Sequence, residues 1–508
     1  MKKVFCGPPP LWLIILSGFF YGFLSPPLNG EYFPVFFFMP IVSTAMLLVF
    51  FQLVIRGVGK RGVFYAWIWG VAAVAAGSYW ILEVDVVDIP FIMPLGLLLM
   101  SLVLGIWYML MYGVLRASYI LSPKCVWWVF PALWVLFDYT KSLGQLSFPW
   151  HYAGYTFAHF LPFAQLSALT GIWGMNFWVL LGAALVFQRL LCHQRVYTLL
   201  LFAYVFGTVV ICLWGYLRLE KKESGDSLRV AVIQSNIDNI NWRGWESLEE
   251  SLRISERMLH QARQQGAHLA VLPESGVFTY LSQNTNALNR VHSWTQSFDM
   301  DIITGALDRD DENNDFFNGA FYFSRSDTGY MSYYKHKLVP YGESMPFEGL
   351  FPMINHRDLG GSDFTPGEDR HLWSVRDFSL LPYICYEAIY PSFIQARSAQ
   401  ADILVNLTND RWFGFGVGPY QHKNIARLRA VENGLPLIRS ANNGISFIAD
   451  SRGRIITQSS LGTREVLVAD IYPPASASLY ARYGNWFLIF LIISLVCVPL
   501  KKVLRSKS

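Results

Sequence analysis

The sequence predicts a polytopic α-helical membrane domain of about eight transmembrane helices joined to a soluble α/β domain. Three observations lead there. The 508-residue chain is 53% hydrophobic and 16% aromatic with only 15% charged residues, where a soluble globular chain has about 25% charged. Its apolar residues are gathered in blocks, most of them before the middle of the chain and one at its end. Between the last two blocks, from Ser227 to Tyr480, charges, Asn and Gly return at ordinary frequency and apolar runs shrink to strand length. A chain this apolar with a net charge of +4 can bury more than ordering costs it, which excludes disorder.

A bilayer crossing takes about 20 apolar residues. Candidate spans run from Leu11 to Leu24, Val35 to Ile55, Phe64 to Ile81, Ile92 to Leu115, Val126 to Phe137, Trp173 to Leu191, Val196 to Leu217 and Trp486 to Val503. The fifth is the weakest, because Asp138 and Lys141 cut it short and Pro131 sits inside it. The resulting organisation is a membrane domain over residues 1–217, a soluble domain over 227–480 and a C-terminal span over 485–503. Cytoplasmic loops retain Lys and Arg. Alternate connections carry Lys2 and Lys3, then Arg56, Lys60 and Arg61, then Arg116 and Lys124, then Arg189 and Arg195, and finally Lys501, Lys502, Arg505 and Lys507. The other connections carry Glu31, then Glu83, Asp85 and Asp88, then Asp138 with Lys141. Both termini are therefore expected in the cytoplasm and the soluble domain on the far side. Arg218, Lys221 and Lys222 run against the rule but precede a long domain, where it has little force. Ser25-Pro26-Pro27 is a poor cleavage site, so the first span reads as a retained anchor rather than a signal peptide.

Within the soluble domain, strand-like runs fall at Arg229 to Gln234, Leu269 to Leu272, Ile302 to Leu307, Ala320 to Phe323, Phe378 to Ile384, Ile403 to Leu407, Ile445 to Ala449 and Glu465 to Asp470. Helical patterns at Ser247 to Gln264, Leu288 to Phe298, Tyr390 to Ala399 and Gln421 to Asn433 are interspersed with them. Such alternation predicts layered sheets covered by helices. There is no internal repeat, metal-ligand spacing or phosphate-binding glycine loop, and nothing calls for a cofactor, a metal or a nucleic acid.

Cys385 is the only cysteine of the soluble domain. A domain outside the cytoplasmic membrane lies where disulfides can form, yet this thiol has no partner there, so it is either buried and bland or reactive. Its context favours reactivity, because a buried strand ends at Ile384 and a helix-like segment follows, and a nucleophile at such a turn has backbone N–H groups beside it for an oxyanion. No histidine of the domain stands in a familiar Cys/His context. Two other segments deliver charge instead. Leu269-Ala270-Val271-Leu272-Pro273-Glu274 is a short strand with a carboxylate at its tip, and Lys335-His336-Lys337-Leu338-Val339-Pro340-Tyr341-Gly342-Glu343 places lysines and a glutamate around a rigid turn. Taken singly, Glu274 and Lys335 read as solvated surface groups.

Taken together, these residues resemble the Glu, Lys, Cys constellation of the nitrilase, or carbon-nitrogen hydrolase, superfamily, and most closely its membrane-bound branch, the bacterial apolipoprotein N-acyltransferases. The similarity runs through Leu272-Pro273-Glu274, Lys335 to Glu343, Ile384-Cys385-Tyr386-Glu387, Asn409-Asp410-Arg411-Trp412-Phe413-Gly414, Gly418-Pro419-Tyr420-Gln421-His422 and Ser440-Ala441-Asn442-Asn443-Gly444-Ile445. Each is weak alone; six in order, within this arrangement of spans, are specific. Arg411 stands where the family pattern often has Ala. Lys337 competes with Lys335, but the family's lysine lies five residues before the proline of this turn, which selects Lys335.

The resemblance implies an αββα sandwich for the soluble domain, a location in the bacterial inner membrane with that domain periplasmic, and an acyl transfer with no cofactor. Glu274 would be the base, Cys385 the nucleophile and Lys335 the cation, with Glu343, Tyr386 and Glu387 as auxiliary or oxyanion groups. The donor would be a phospholipid and the acceptor the α-amine of a diacylglyceryl-cysteine at the N-terminus of an apolipoprotein. Because acyl chains cost about 0.8 kcal/mol per CH₂ to bring into water, the thiol is expected at a bilayer surface. Trp412, Phe413 and Gly414 in one loop, and Trp242, are candidates for a lid or chain clamp, with interfacial anchoring as the alternative. Trp150 is a candidate lipid contact with the same alternative. Asn318 reads as a turn residue, with lining the site as the alternative. A membrane-tethered amidase using water as acceptor stays open, since both reactions share the acyl-enzyme. A transporter is disfavoured, because the spans carry almost no ionisable residues.

Overall fold

The architecture is that of a computed structural model, which describes residues 7–24, 39–57, 59–84, 91–237, 245–347, 363–474 and 476–505. The chain divides into two compact units, one of helices up to Glu220 plus the C-terminal helix, the other spanning Lys221–Arg482.

The first unit contains α1 (Leu11–Leu24), α2 (Met39–Arg56), α3 (Lys60–Gly77), α4 (Ile92–Leu121), α5 (Val126–Thr140), α6 (Ile172–Cys192), α7 (Arg195–Glu220) and the C-terminal helix Trp486–Arg505. These fall where the sequence places its spans, but length divides them. Only α4, α6 and α7 are long and apolar enough, among the described residues, to cross a membrane on those grounds. With 14 residues, α1 rises roughly 21 Å at 1.5 Å per residue, short of a hydrocarbon core of about 30 Å. Three of the eight expected spans thus meet this measure among the described residues. Glycines bring α1 against α3, since a Cβ on Gly22 would lie 1.9 Å from the Ala73 carbonyl oxygen. Asp138, which interrupts the fifth apolar block, is buried in α5 and paired at 2.7 Å with Lys141, so the interruption is a satisfied ion pair.

In the second unit the period-two alternation of apolar residues builds two sheets. The first carries β1 (Leu228–Gln234), β2 (Leu269–Val271), β3 (Val277–Tyr280), β4 (Asp301–Asp310), β5 (Asp315–Phe323), β6 (Tyr330–Tyr334) and β13 (Glu465–Ile471), in the order β13-β1-β2-β4-β5-β6 with β3 beside β4. The second carries β7 (Trp373–Val375), β8 (Phe378–Ile384), β9 (Ile403–Thr408), β10 (Leu437–Ala441), β11 (Phe447–Ala449) and β12 (Ile455–Gln458), in the order β12-β11-β10-β9-β8-β7. Val230, Val232, Leu269, Val271 and Ile303 of the first sheet pack with Leu380, Ile384, Val405, Leu407 and Ile438 of the second. The intervening residues turn outward. Ala231, Ile233, Ala270 and Ile302 meet Leu252, Leu259 and Val291 of α8 (Trp245–Gln264) and α9 (Thr285–Ser297). Leu381, Tyr383, Leu404 and Leu437 meet Ile394, Ala426 and Ala430 of α10 (Pro391–Ser398) and α11 (Gly418–Asn433). The layers run helix, sheet, sheet, helix, and Cys385 belongs to the apolar layer between the sheets.

Five strands escape the sequence reading: β3, β6, β7, β10 and β12. Trp373-Ser374-Val375 and Val277 to Tyr280 are too short for a pattern to register, and Leu437 to Ala441 carries Arg439 and Ser440, buried polar residues that break an apolar run.

One close approach ties this frame to the tip of β2. A Cβ on Gly305, in β4, would lie 2.0 Å from the Glu274 carbonyl oxygen and 2.4 Å from its Cα, so backbone, not a flexible side chain, would have to move. Gly305→Ala is expected to destabilise the domain by about 1–3 kcal/mol and to lower activity by displacing Glu274. Gly329→Ala, whose Cβ would meet nothing closer than 3.8 Å, is the control. Equal melting temperatures for the two variants would remove this constraint.

Candidate active site

Three strand ends meet at the site. Glu274 follows β2, Lys335 follows β6, and Cys385 follows β8 and opens a single 3-10 turn, Cys385–Ile389. The Lys335 side chain is 1% exposed, and its Nζ donates to Glu343 Oε1 at 2.7 Å and to Glu274 Oε1 at 3.3 Å. Asn318 Nδ2 donates to the same two oxygens, at 2.7 Å to Glu274 and 3.2 Å to Glu343. The far oxygens are met by backbone, Glu274 Oε2 by the Asn409 N–H at 2.7 Å and Glu343 Oε2 by the Val339 N–H at 2.9 Å.

Burial alone would lower the Lys335 pKa, but the Glu274 and Glu343 carboxylates overcome it and hold the ammonium charged well above the ordinary lysine range. Burial raises the Glu274 pKa, as does Glu343, while Lys335 and the hydrogen bonds from Asn318 and Asn409 act against them. The Cys385 thiol is pushed up first by burial and then by Glu274, with Lys335 and a hydrogen bond to Thr408 in opposition. The resting thiol is therefore protonated, beside a carboxylate that can take its proton and a fixed cation.

The Cys385 backbone sits at φ +46°, the left-handed region in which a non-glycine residue costs on the order of 1–3 kcal/mol. Glu387 anchors the turn. Its fully buried carboxylate accepts from the Ile384 N–H and the Tyr333 hydroxyl, each at 2.7 Å, and from the N–H groups of His336 at 2.7 Å and Lys337 at 3.1 Å. It thereby ties the cysteine turn to the lysine loop across the two sheets, and as an acceptor engaged with four donors it supplies no oxyanion contact. Tyr386 is buried with its ring edge-on to Tyr390.

The other candidates separate. Asn318 lies within β5, paired with Leu307 of β4, so the turn reading is wrong: Phe316-Phe317-Asn318-Gly319 is strand, and the amide lines the site. Lys337 does not enter it, with Nζ 5.5 Å from the centre of the Tyr390 ring and 5.9 Å from that of Phe393. Trp412 is 54% exposed, and the neighbouring Phe415, which sequence reasoning passed over, is 73% exposed. Phe413 is buried, edge-on to His422 at 5.3 Å, and Gly414 closes that turn at φ +60°; neither offers a lid surface. Trp150 is 1% exposed and packs on Trp80 and Phe148 within the helical unit, which corrects the reading of its ring as a lipid contact. Trp242 lies outside the described residues. Among the described residues no His, Cys, Asp or Glu cluster is arranged to hold a metal.

The structure adds a network that sequence reasoning did not assign. His422, fully buried on α11, reaches the Cys385 carbonyl oxygen with Nε2 at 3.2 Å, and its Nδ1 lies 2.9 Å from Asp410 Oδ1. Arg439 Nη2 donates to Asp410 Oδ2 at 2.8 Å. Burial would raise the Asp410 pKa, but Arg439 and His422 hold it below the usual carboxylate range. The network's traces in the sequence are Asp410 and His422, each within a motif that carries the family resemblance.

Comparison with known proteins decides the family. Residues 229–480 match the carbon-nitrogen hydrolase family, and residues 17–185 match the apolipoprotein N-acyltransferase N-terminal domain. The apolipoprotein N-acyltransferase of Geobacter metallireducens is 31% identical, with 92% of each chain covered. The chain belongs to the apolipoprotein N-acyltransferase family. A second member, from Pseudomonas aeruginosa, is 30% identical with 89% of each chain covered. The crystal structure of Saccharomyces cerevisiae Nit3, a member of the nitrilase superfamily, is 16% identical, covers 50% of this chain and 93% of its own, and gives a TM-score of 0.39. In this acyltransferase family member, the carbon-nitrogen hydrolase match coincides with the two-sheet unit that holds Glu274, Lys335 and Cys385.

The left-handed backbone at position 385 has a measurable consequence. Both Cys385→Gly and Cys385→Ala remove the thiol, but glycine adopts φ > 0 freely. Cys385→Gly should be the more stable of the two by about 1 kcal/mol, read as a higher melting temperature. The reverse order would show that the turn is relaxed.

Proposed function

We propose that the chain transfers an acyl group from a phospholipid to the α-amine of the diacylglyceryl-cysteine at the N-terminus of apolipoproteins, through a thioester on Cys385. The observation that carries this reading is the buried Lys335 ammonium held between Glu274 and Glu343, beside the only cysteine of the domain, in a member of this family.

Glu274 takes the thiol proton as Sγ attacks the ester carbonyl carbon. Lys335 stabilises the oxyanion, helped by the Tyr386 backbone N–H. The carbon–oxygen bond to the glycerol breaks, the departing alkoxide takes the proton from Glu274, and a lysophospholipid leaves. The acceptor amine then attacks the thioester, gives its proton to Glu274 and becomes an amide, and the expelled thiolate recovers the proton. Glu343 and Asn318 position the lysine and the base. Trp412, and Phe415 with it, contact acyl chains. On this reading residues 1–217 form a membrane domain, 227–480 the catalytic domain and 485–503 a terminal span. Eight helices cross the bacterial inner membrane, both termini are cytoplasmic, and the catalytic domain is periplasmic. Neither substrate has to carry its chains into water, which the cost of about 0.8 kcal/mol per CH₂ makes a condition of turnover.

The purified protein in detergent, given a labelled phospholipid, should show an acyl adduct on Cys385 by mass spectrometry that a diacylglyceryl peptide discharges. No adduct, or one that water discharges as fast as the peptide, overturns the transferase assignment, the second outcome in favour of an amidase. Cys385→Ala should abolish turnover, and Glu274→Gln and Lys335→Ala should prevent adduct formation, whereas Lys337→Ala should retain it. Glu274 acts as carboxylate and its pKa is raised, so the acylation rate should climb with pH through a limb lying above the ordinary glutamate value of about 4.3. A rate that stays flat down to about pH 4 would remove Glu274 from the proton transfer.

A further inference from the structure

We propose that His422 is a positioning residue for the acylation step, holding the Cys385 carbonyl through Nε2 and with it the left-handed backbone from which the thiol projects. This rests on Cys385 being the nucleophile. The carbonyl oxygen can only accept a hydrogen bond, so the 3.2 Å contact places a proton on Nε2 whatever Nδ1 carries. The ring cannot turn away. Nδ1 has a partner in either state, donating to Asp410 Oδ1 at 2.9 Å when it carries a proton and accepting from Arg439 Nη2 at 3.1 Å when it does not, and the Phe413 ring stands edge-on to the imidazole. Asp410 is in turn held by the Thr408 hydroxyl at 2.9 Å and by Arg439 Nη2, and Arg439 Nη1 donates to Asn406 Oδ1. Space for the Asp410 carboxylate exists because position 444 is glycine, where a Cβ would lie 2.2 Å from Oδ2.

His422, Asp410, Arg439, Thr408 and Asn406 are all buried to exclusion of solvent. A buried ion pair is a weak source of stability, since apolar side chains of similar volume commonly do as well or better. What this network supplies that apolar packing cannot is an N–H aimed at the backbone of Cys385. Cys385 is a non-glycine residue at φ +46°, a conformation that persists only where its surroundings over-determine it. Glu387 fixes the residue before the turn through the Ile384 N–H, and His422 fixes the carbonyl of Cys385 itself. The two together set where the thiol and the following N–H groups point.

Two amide variants separate this role from packing. His422→Gln can place a donor near the Nε2 position, whereas His422→Asn replaces only Nδ1. In single-turnover acylation of the full chain in detergent with a labelled phospholipid, the Gln variant should stay within about tenfold of wild type. The Asn variant should fall about 100-fold, the scale of a displaced reacting group, with the dependence on donor concentration unchanged in both. An Asn variant at least as active as Gln, or a loss confined to the donor concentration needed, overturns the proposal. If His422→Asn does not fold, it is combined with Cys385→Gly and with Cys385→Ala. Glycine relaxes the left-handed backbone, so folding should return in the first combination and not in the second, and failure in both would make His422 a packing residue. Absence of any adduct in the wild-type protein would count against the acyl-enzyme itself and is read separately.

Discussion

The site depends on a lysine ammonium taken out of water between two carboxylates. Each buried ion forfeits several kcal/mol of hydration, and the arrangement holds because nearly every donor and acceptor is matched. Lys335 meets Glu274 and Glu343, Asn318 donates to both, and the N–H groups of Asn409 and Val339 take the remaining oxygens. Removing one member strands the others. The fold around them is constrained accordingly: β2, β5 and β6 must deliver Glu274, Asn318 and Lys335 to one point, and Gly305 must carry no side chain where the Glu274 backbone passes.

Cys385 lies at the seam between the sheets, with a polar network on either hand. The first sheet supplies Glu274, Asn318 and Lys335. From the second sheet and the segments that follow its strands come Asn406, Asp410, His422 and Arg439. Glu387 crosses the seam, accepting from Tyr333 of β6 and from Ile384 of β8. The division has a physical logic. The first network places charge nearest the thiol, the second contacts the Cys385 carbonyl through His422, and Asp410 of the second also raises the thiol's pKa. Apolar packing between sheets fixes their separation but is non-directional, and the carboxylate and imidazole contacts add the directional part.

What was legible in the sequence follows from what periodicity can register. Runs such as Phe378 to Ile384 and Ile403 to Leu407 alternate between two apolar layers and were read nearly to the residue. Arg439 hid β10, because a buried cation in a strand looks like a loop residue until its partner Asp410 is seen. Asn318 was misread for a related reason: Asn-Gly is a turn signal, and nothing local reveals that the amide faces carboxylates 44 and 25 residues away. His422 was visible as part of a motif but not as a contact of Cys385, from which 37 residues separate it. The helical blocks were legible as helices. Their status as spans was less so, since α1 and α5 are short and α5 ends in an ion pair that composition alone counts against it.

The charge balance of the site bears on why a carboxylate, rather than an imidazole, accompanies this thiol. Burial and the nearby Glu274 charge push the Cys385 thiol up, so that it stays protonated at rest. On the proposed reading, moving the proton from Sγ to Glu274 leaves the total charge of the buried cluster unchanged. A negative charge shifts from one buried atom to another, both within the field of Lys335, and no new charge is desolvated. An imidazole base in the same place would turn a neutral pair into a separated thiolate and imidazolium, adding a second cation beside Lys335 where like charges raise each other's cost. His422 accordingly meets Cys385 at its carbonyl oxygen, and burial followed by the Arg439 charge lowers its pKa. On the proposed reading the same carboxylate, ionised again once the lysophospholipid has left, is ready to accept a proton from the incoming amine, so that one buried base would serve both halves of the transfer.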